Sequence, residues 1–300
     1  MRVALLVNPA ARAGTATDAA GRAAERLRAH GITVSIVSGG SAAESTQLLR
    51  IALDAGVDAV LVAGGDGTVA LALTELAGTA VPLGIVPVGT GNDFAASVGL
   101  HELDVHAAAD AVVAGRTRTV DLARVVRADG GTTLFGTVLA SGFDSRVNDR
   151  ANRMRWPRGS SRYTIALLRE FVTLRAVPFT LELDLPDGTT MRLRQDLVLV
   201  AVGNGRSYGG GIPICPSADI ADGLLDVTVV HPAGRAHLLR LLPKLYRGEH
   251  TALPEVATHR VRGIRLDAPD VTTYADGDPV GPLPVRVDAV PGALRVFTAS

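Results

Sequence analysis

The chain has 300 residues, 47% of them apolar, and its 30 Lys and Arg are balanced by 30 Asp and Glu. That length and apolar content supply cores for two domains and exclude a disordered or fibrous chain. Zero net charge excludes global recruitment by nucleic acid or an anionic membrane and leaves only local patches for such contacts. Cys215 stands alone, so no internal disulfide framework exists; it fits a reducing compartment and reads as a small buried hydrophobe. The apolar start MRVALLV is interrupted by Asn8 and Pro9, well short of the roughly 18 residues of a membrane span, and the sequence reads as cytoplasmic.

In chain order, strands are predicted near 2–7, 32–37, 58–63 and 83–86, and helices near 17–29, 42–55 and 68–77. Aliphatic runs alternating with Ala-rich helical stretches and short Gly-rich turns predict a parallel α/β sheet. From about residue 121 the texture changes to β-branched runs broken by turn signals, as in LARVVRADGGTTLFGTVLA and TLELDLPDGTTMRL. This half is predicted to be mostly antiparallel and β-sandwich-like, interrupted by one amphipathic helix, YTIALLREFVTLRAV. The division is an α/β domain over 1–120 and a mostly β domain over 121–285. The last strand, about 286–300, is compatible with either sheet.

The most informative segment is VLVAGGDGTVALALTELAG, in which a strand runs through Gly64, Gly65, Asp66, Gly67 and Thr68 directly into a helix. Glycines let the backbone approach a ligand, and the free N–H groups at a helix start favour an anion. A tight βα turn with glycine for geometry alone is the other reading. Asp66 among phosphate-binding glycines would repel a nucleotide unless a divalent cation lay between them, which points to Mg²⁺.

GGDGT followed by PVGTGNDFA resembles the catalytic domain of diacylglycerol kinases, and more broadly the bacterial lipid kinases and sphingosine kinases. The resemblance extends through VNPAARAG, VDLARV, ASGFD, GNGRSYGGGIPICPSADIADGLLDVTVV and YADGDP, covering essentially the whole chain. It implies an ATP-dependent lipid kinase with an active site in the cleft between the two domains. Implied ATP contacts are Asn8, Arg12, Ser38, Gly64, Gly65, Asp66, Gly67, Thr68 and Thr90. Asp66, Asp93 and Asp121 correspond to an acidic network holding Mg²⁺ near the transferring phosphoryl group; Asp219, Asp222 and the Leu224 carbonyl correspond to a second, structural Mg²⁺ site. Asp278 corresponds to the base that accepts the proton of the lipid hydroxyl, with Asp276 able to share that task. Each position also has a plainer reading: a strand-ending turn at Asn8, a loop hydroxyl at Ser38, a helix cap at Asp93, a strand-end charge at Asp121, a DG turn at Asp222.

After GGDGT the family usually continues with a hydrophobic residue, Asn and Glu; this sequence has Val69, Ala70 and Leu71, so Ala70 and Leu71 depart from the pattern. The first loop also has Arg12 in place of the usual lysine. Between Arg146 and Arg162 lie six arginines, one aspartate and Trp156; this run reads either as a headgroup-binding patch, through which the enzyme transiently visits a membrane surface, or as a solvated basic loop. The Ile165, Leu168 and Val172 face of the following helix suits a core or a lipid groove. Diacylglycerol is the default acceptor. A kinase of a soluble acceptor such as NAD, and a non-catalytic lipid-binding protein on the same scaffold, are the alternatives. Nucleic acid is not an expected partner, and a homodimer is one the resemblance allows.

Overall fold

A computed structural model of the chain describes residues 1–8, 14–154, 165–166, 169–170, 173–234, 237 and 243–299. Strands β1 (Arg2–Val7), β2 (Thr33–Val37), β3 (Ala59–Gly64) and β4 (Leu83–Pro87) pair in parallel in the order β2-β1-β3-β4. β3, AVLVAG, is buried at every position. Such a continuous apolar run is what a central parallel strand needs, because helices cover both of its faces. Helices α1 (Thr15–Ala29), α2 (Ala42–Asp54), α3 (Asp66–Leu76), α4 (Asp93–Ser97) and α5 (Val105–Ala114) fill the connections. Ala16, Ala19, Ala23 and Leu27 of α1 pack with Ala108 and Val112 of α5 on one face, and Leu49 of α2 with Val69, Leu73 and Leu76 of α3 on the other. Ser41 caps α2 by accepting the Glu44 N–H at 3.2 Å, while the Glu44 carboxylate accepts the Gly40 N–H at 2.7 Å. The predicted strands and helices of this half end within two residues of the observed ones; α5 is an additional helix, its N-terminus capped by Asp104, which accepts the Ala107 N–H at 2.8 Å.

The second half contains β5 (Thr117–Arg127), β6 (Thr132–Phe135), β7 (Val138–Gly142), α6 (Phe143–Arg153), β8 (Val177–Asp184), β9 (Thr190–Leu197), β10 (Leu199–Gly203), β11 (Leu225–Val230), β12 (Val256–Val261), β13 (Gly263–Asp267), β14 (Thr272–Ala275), β15 (Asp278–Pro282) and β16 (Val285–Phe297). One antiparallel sheet runs β12-β11-β10-β7-β14-β15. It packs on β8, β13 and the first half of β16, with Leu181, Leu183, Ile264 and Leu266 against Val200, Val202 and Val227. β8 shows the required alternation, Val177, Phe179, Leu181 and Leu183 buried and the intervening residues more open. The fold is therefore an α/β domain joined to an antiparallel, sandwich-like β domain. One expectation is corrected: the basic segment after Gly142 begins as a helix, α6, not as a loop. Its Asp149 and Arg153 stand one turn apart and pair at 2.9 Å.

β16 joins the two halves. Its first residues pair with β13, its last ones run beside β4 with Val296 opposite Leu83, and β5 follows it along most of its length. The last strand thus belongs to both sheets, which form one continuous ten-stranded surface. Between Val290 and Leu294 its register with β5 shifts, and Pro291 and Gly292 form a bulge.

Leu294 sits in the first domain's core, although it belongs to the strand that also closes the second. Leu294→Ala is expected to lower stability by about 2–5 kcal/mol, read from urea unfolding followed by circular dichroism. A loss below about 1 kcal/mol would contradict the assignment of this strand as the shared core element.

Candidate active site

Asn8, Ser38, the GGDGT loop and the GTGND loop all lie at the carboxyl ends of β1, β2, β3 and β4. The chain leaves β1 toward β2 on one side, while β3 lies on the other. Crevices at such switch points are where open α/β sheets bind ligands. Arg12 lies outside the described residues.

The two loops touch through glycine. A Cβ on Gly89 would lie 2.5 Å from the Gly65 Cα, and a Cβ on Gly64 would lie 2.6 Å from the Thr68 side chain. Only residues without a side chain allow that approach. The N–H groups of Asp66 and Gly67 open α3 with no acceptor among the described residues, leaving them free for an anion. Thr68 and Val69 instead donate their N–H groups to the Gly65 carbonyl, at 3.0 and 3.1 Å. Thr90 is exposed on the second loop. Ala70 and Leu71, the departures from the family pattern, are half-buried on α3, and Val69 is buried.

Asp66 is half-buried and reaches across to the other loop. Its Oδ2 accepts the Asn92 N–H at 2.8 Å and its Oδ1 the Asp93 N–H at 2.7 Å, so it caps α4 from outside. Burial first, and the neighbouring Asp93 second, push its pKa up, while these amides pull it back down. Asp93 does not cap its own helix. Its buried carboxylate turns to the second domain, accepting the Gly210 N–H at 2.9 Å, the Gly211 N–H at 2.8 Å and the Ser207 hydroxyl at 3.2 Å.

Asp121 lies on β5 and is 4% exposed. It accepts the Gly223 N–H and the Gly292 N–H, both at 2.7 Å. Its observed partners are the loop before β11 and the bulge of β16, not Asp66. Asp276 shows the same pattern: it accepts the N–H groups of Gly136 and Thr137, both at 2.8 Å, and the Thr137 hydroxyl at 2.5 Å. Burial raises the Asp276 pKa, those bonds lower it, and the charge of Asp66 raises it again. Asp278, at the start of β15, accepts no hydrogen bond and joins no ion pair among the described residues. Partial desolvation by the surrounding chain raises its pKa although the residue as a whole is exposed.

The loop of the expected structural metal site is organised differently. Asp219 accepts the Ala221 N–H at 3.1 Å, Asp222 the Leu224 N–H at 2.9 Å, and the other Asp222 oxygen pairs with the Arg260 guanidinium. Arg260 also faces Asp226 at 3.7 Å. Arg260 offsets part of the negative charge of Asp222 and Asp226, and no group of three or more His, Cys, Asp or Glu able to hold a metal gathers among the described residues. Asp66 stands where phosphates on the open α3 amides and a cation bridging to its carboxylate would satisfy each other.

Of the basic run, Arg150 pairs with Glu170 at 2.5 Å, Arg153 with Asp149, and Arg146 donates to the Arg175 carbonyl at 3.2 Å. Those three, all on α6, have protein partners. Trp156, Arg155, Arg158, Arg162, Leu168 and Val172 lie outside the described residues, whereas Ile165 is half-buried in a helical turn. No helix among the described residues is long and apolar enough to cross a membrane. Cys215 is buried and its thiol is pushed up to about 12, so it is inert.

Two residues escaped the sequence reading. Asn204 donates to the carbonyls of Asp121 and Gly136, at 3.0 and 2.8 Å, tying two strands of the cleft together. Ser207 joins Asp93. Both lie in GNGRSYGGG, where the glycine run was the available signal.

A family model described as the diacylglycerol kinase catalytic domain matches residues 2–125, and one described as the YegS C-terminal NAD kinase beta sandwich-like domain matches residues 137–298. A diacylglycerol kinase of Mycobacterium tuberculosis is 50% identical over 296 residues, covering 99% of this chain and 94% of that protein. The chain belongs to the diacylglycerol kinase family. Lipid kinase YegS of Escherichia coli K12 is 31% identical over 275 residues, covering 90% of this chain and 87% of the relative. Among solved structures, a diacylglycerol kinase from Bacillus anthracis superposes with a TM-score of 0.70 at 22% identity, covering 99% of this chain and 96% of the other. An NAD kinase from Archaeoglobus fulgidus in complex with ATP superposes with a TM-score of 0.55 at 14% identity, covering 100% of this chain and 94% of that one. At these identities the two superpositions establish the fold, which this diacylglycerol kinase family member shares with NAD kinases.

One further buried acid gives a pH prediction. Asp144 opens α6, accepts the Ser145 N–H at 2.8 Å, and has its second oxygen buried without a hydrogen bond; burial lifts its pKa from 3.8 to about 7. The folded state then binds a proton that the unfolded chain has released, so stability falls as pH rises from about 4 through about 7. Asp144→Asn should remove this slope. Melting temperatures of the two proteins should diverge in favour of the variant between about pH 5 and pH 8, and parallel curves would contradict the burial of this carboxyl.

Proposed function

We propose that this lipid kinase transfers the γ-phosphoryl group of ATP to the hydroxyl of diacylglycerol at a membrane surface. The observation that carries the reading is the state of Asp278. Of the five aspartates Asp66, Asp93, Asp121, Asp276 and Asp278, it alone has a carboxylate with no hydrogen-bond partner among the described residues. A base must have a free oxygen to take the acceptor's proton, and Asp276 has spent its oxygens on Gly136 and Thr137. A raised pKa brings Asp278 closer to that of a useful base near neutral pH. The family commonly has Glu at this position; Asp278 follows the held Asp276 by two residues across the tight Gly277 turn, so the shorter side chain is carried on a fixed backbone.

Phosphoryl transfer is mainly positioning and neutralisation of charge. In this reading the Gly64–Thr68 loop cradles the nucleotide phosphates through the open Asp66 and Gly67 amides, with Thr90, Asn8 and Ser38 at the neighbouring strand ends. Asp66 would hold Mg²⁺ together with those phosphates, and the ion would neutralise charge on the transferring group. Asp276 holds the turn that carries Asp278, and the β domain presents the acceptor. The 50% identity to a protein named diacylglycerol kinase supports diacylglycerol as acceptor.

Label transfer from ATP with Mg²⁺ to a panel of lipids in mixed micelles tests this directly. Diacylglycerol should be labelled by the wild type, and Asp278→Asn should lower kcat by about 100- to 10,000-fold while Asp278→Glu retains most of it. Asp66→Asn should lose activity and Mg²⁺ dependence together. Labelling of NAD or another soluble acceptor instead, or full turnover by Asp278→Asn, would overturn the proposal.

A further inference from the structure

Loop Gly209–Gly211 of the second domain lies directly over the GTGND loop of the first. A Cβ on Gly210 would stand 3.8 Å from the Gly91 Cα and 3.9 Å from the Thr90 carbonyl oxygen. Its three consecutive glycines have φ of 61°, 86° and 97°, a left-handed run that L-residues with side chains adopt only under strain. This tight turn aims two successive N–H groups, of Gly210 and Gly211, at one anion. That anion is the Asp93 carboxylate, which takes Gly210 and Gly211 together and the Ser207 hydroxyl from the same loop.

The rest of α4 is fitted to the second domain at the same joint. Phe94 is buried so closely that a Cβ on Gly136 would lie 2.4 Å from its ring, and a Cβ on Gly205 would lie 2.6 Å from the Ser97 hydroxyl. Gly136 is also one of the residues whose N–H holds Asp276. A short path of contacts therefore runs from the nucleotide loop through Asp93 and Phe94 to the turn that carries Asp278.

We propose that Asp93 is a positioning residue that fastens the Gly209–Gly211 loop onto the GTGND loop and thereby couples nucleotide occupancy to the placement of the acceptor. All three of its carboxylate's hydrogen-bond partners among the described residues belong to the second domain, so it fixes the relation between domains. Coupling of this kind is reciprocal: nucleotide that orders Thr90 and Gly91 orders the loop above them, and acceptor bound to the second domain favours nucleotide in turn. The functional half of the inference rests on the kinase reading; the structural half does not.

The test compares Asp93→Asn with Ser207→Ala, which alters the same grip from the other domain and lies outside the nucleotide loops. Hydrogen exchange at residues 209–211 should accelerate by about tenfold or more in Asp93→Asn and by less in Ser207→Ala. Equilibrium Mg·ATP affinity, measured with no acceptor present, should stay within about threefold of wild type in both, while kcat/KM for the lipid falls in both and the nucleotide's effect on acceptor KM shrinks. Unchanged exchange at 209–211 in both variants would overturn the grip. Loss of Mg·ATP affinity in Asp93→Asn with wild-type behaviour of Ser207→Ala would place Asp93 in the nucleotide and metal set instead. Should Asp93→Asn exchange globally as an unfolded chain, Ser207→Ala alone decides, by the same readouts. A wild type that labels no acceptor would defeat the kinase reading, and the exchange data would still decide the grip.

Discussion

A carboxylate that accepts two backbone N–H groups from a neighbouring loop is the constraint on which this cleft depends. Asp66 does so to Asn92 and Asp93, Asp93 to Gly210 and Gly211, Asp121 to Gly223 and Gly292, and Asp276 to Gly136 and Thr137. Hydrogen bonds to a charged group contribute about 1.5–3 kcal/mol each, and a carboxylate removed from water without them is costly. The loops and the acids therefore hold each other: glycine-rich turns with exposed amides need an anion, and half-buried anions need those amides. Once four acids are committed in this way, the freedom of the Asp278 carboxylate becomes informative.

The same pairing explains why the two domains meet as they do. Asp93 belongs to the first domain but the amides it accepts from belong to the second. Asp121 ties β5 to the bulge of β16, the strand that continues the parallel sheet into the β-sandwich. A flat, regular β16 would leave no Gly292 N–H pointing at Asp121, so the bulge and the acid are one device. Small residues do the rest: glycine at 136 and 205 lets Phe94 and Ser97 approach the second domain to distances that any side chain would forbid.

Electrostatic balance also decides between uses of acidic loops that look alike in sequence. The 219–224 loop carries Asp219 and Asp222 as a metal-binding loop would, but Arg260, from β12, supplies the positive charge. Asp66 has no cationic side chain paired with it among the described residues, and its open neighbours are the amides that begin α3. Local sequence shows two acidic glycine loops. The difference between them is made by a residue about forty positions away.

By itself the sequence determined the alternation of strands and helices in the first half, the β texture of the second, and the GGDGT and GTGND loops, because hydrophobic period and glycine placement are local properties of the chain. It also picked out Asp66, Asp93, Asp121 and Asp278 through motif resemblance. It did not resolve which sheet the last strand joins, since an apolar strand with alternating burial satisfies either edge; β16 satisfies both. Nor did it show that the arginine run opens as α6, that Asn204 and Ser207 complete the cleft, or that Asp276 is held by Gly136 and Thr137. Those roles depend on partners 68 to 140 residues away, as with Asn204 and Gly136 or Asp276 and Gly136. Only the tertiary structure decided them, because a hydrogen bond between distant segments is fixed by the packing of the sheets that carry them and leaves no period or spacing in the sequence.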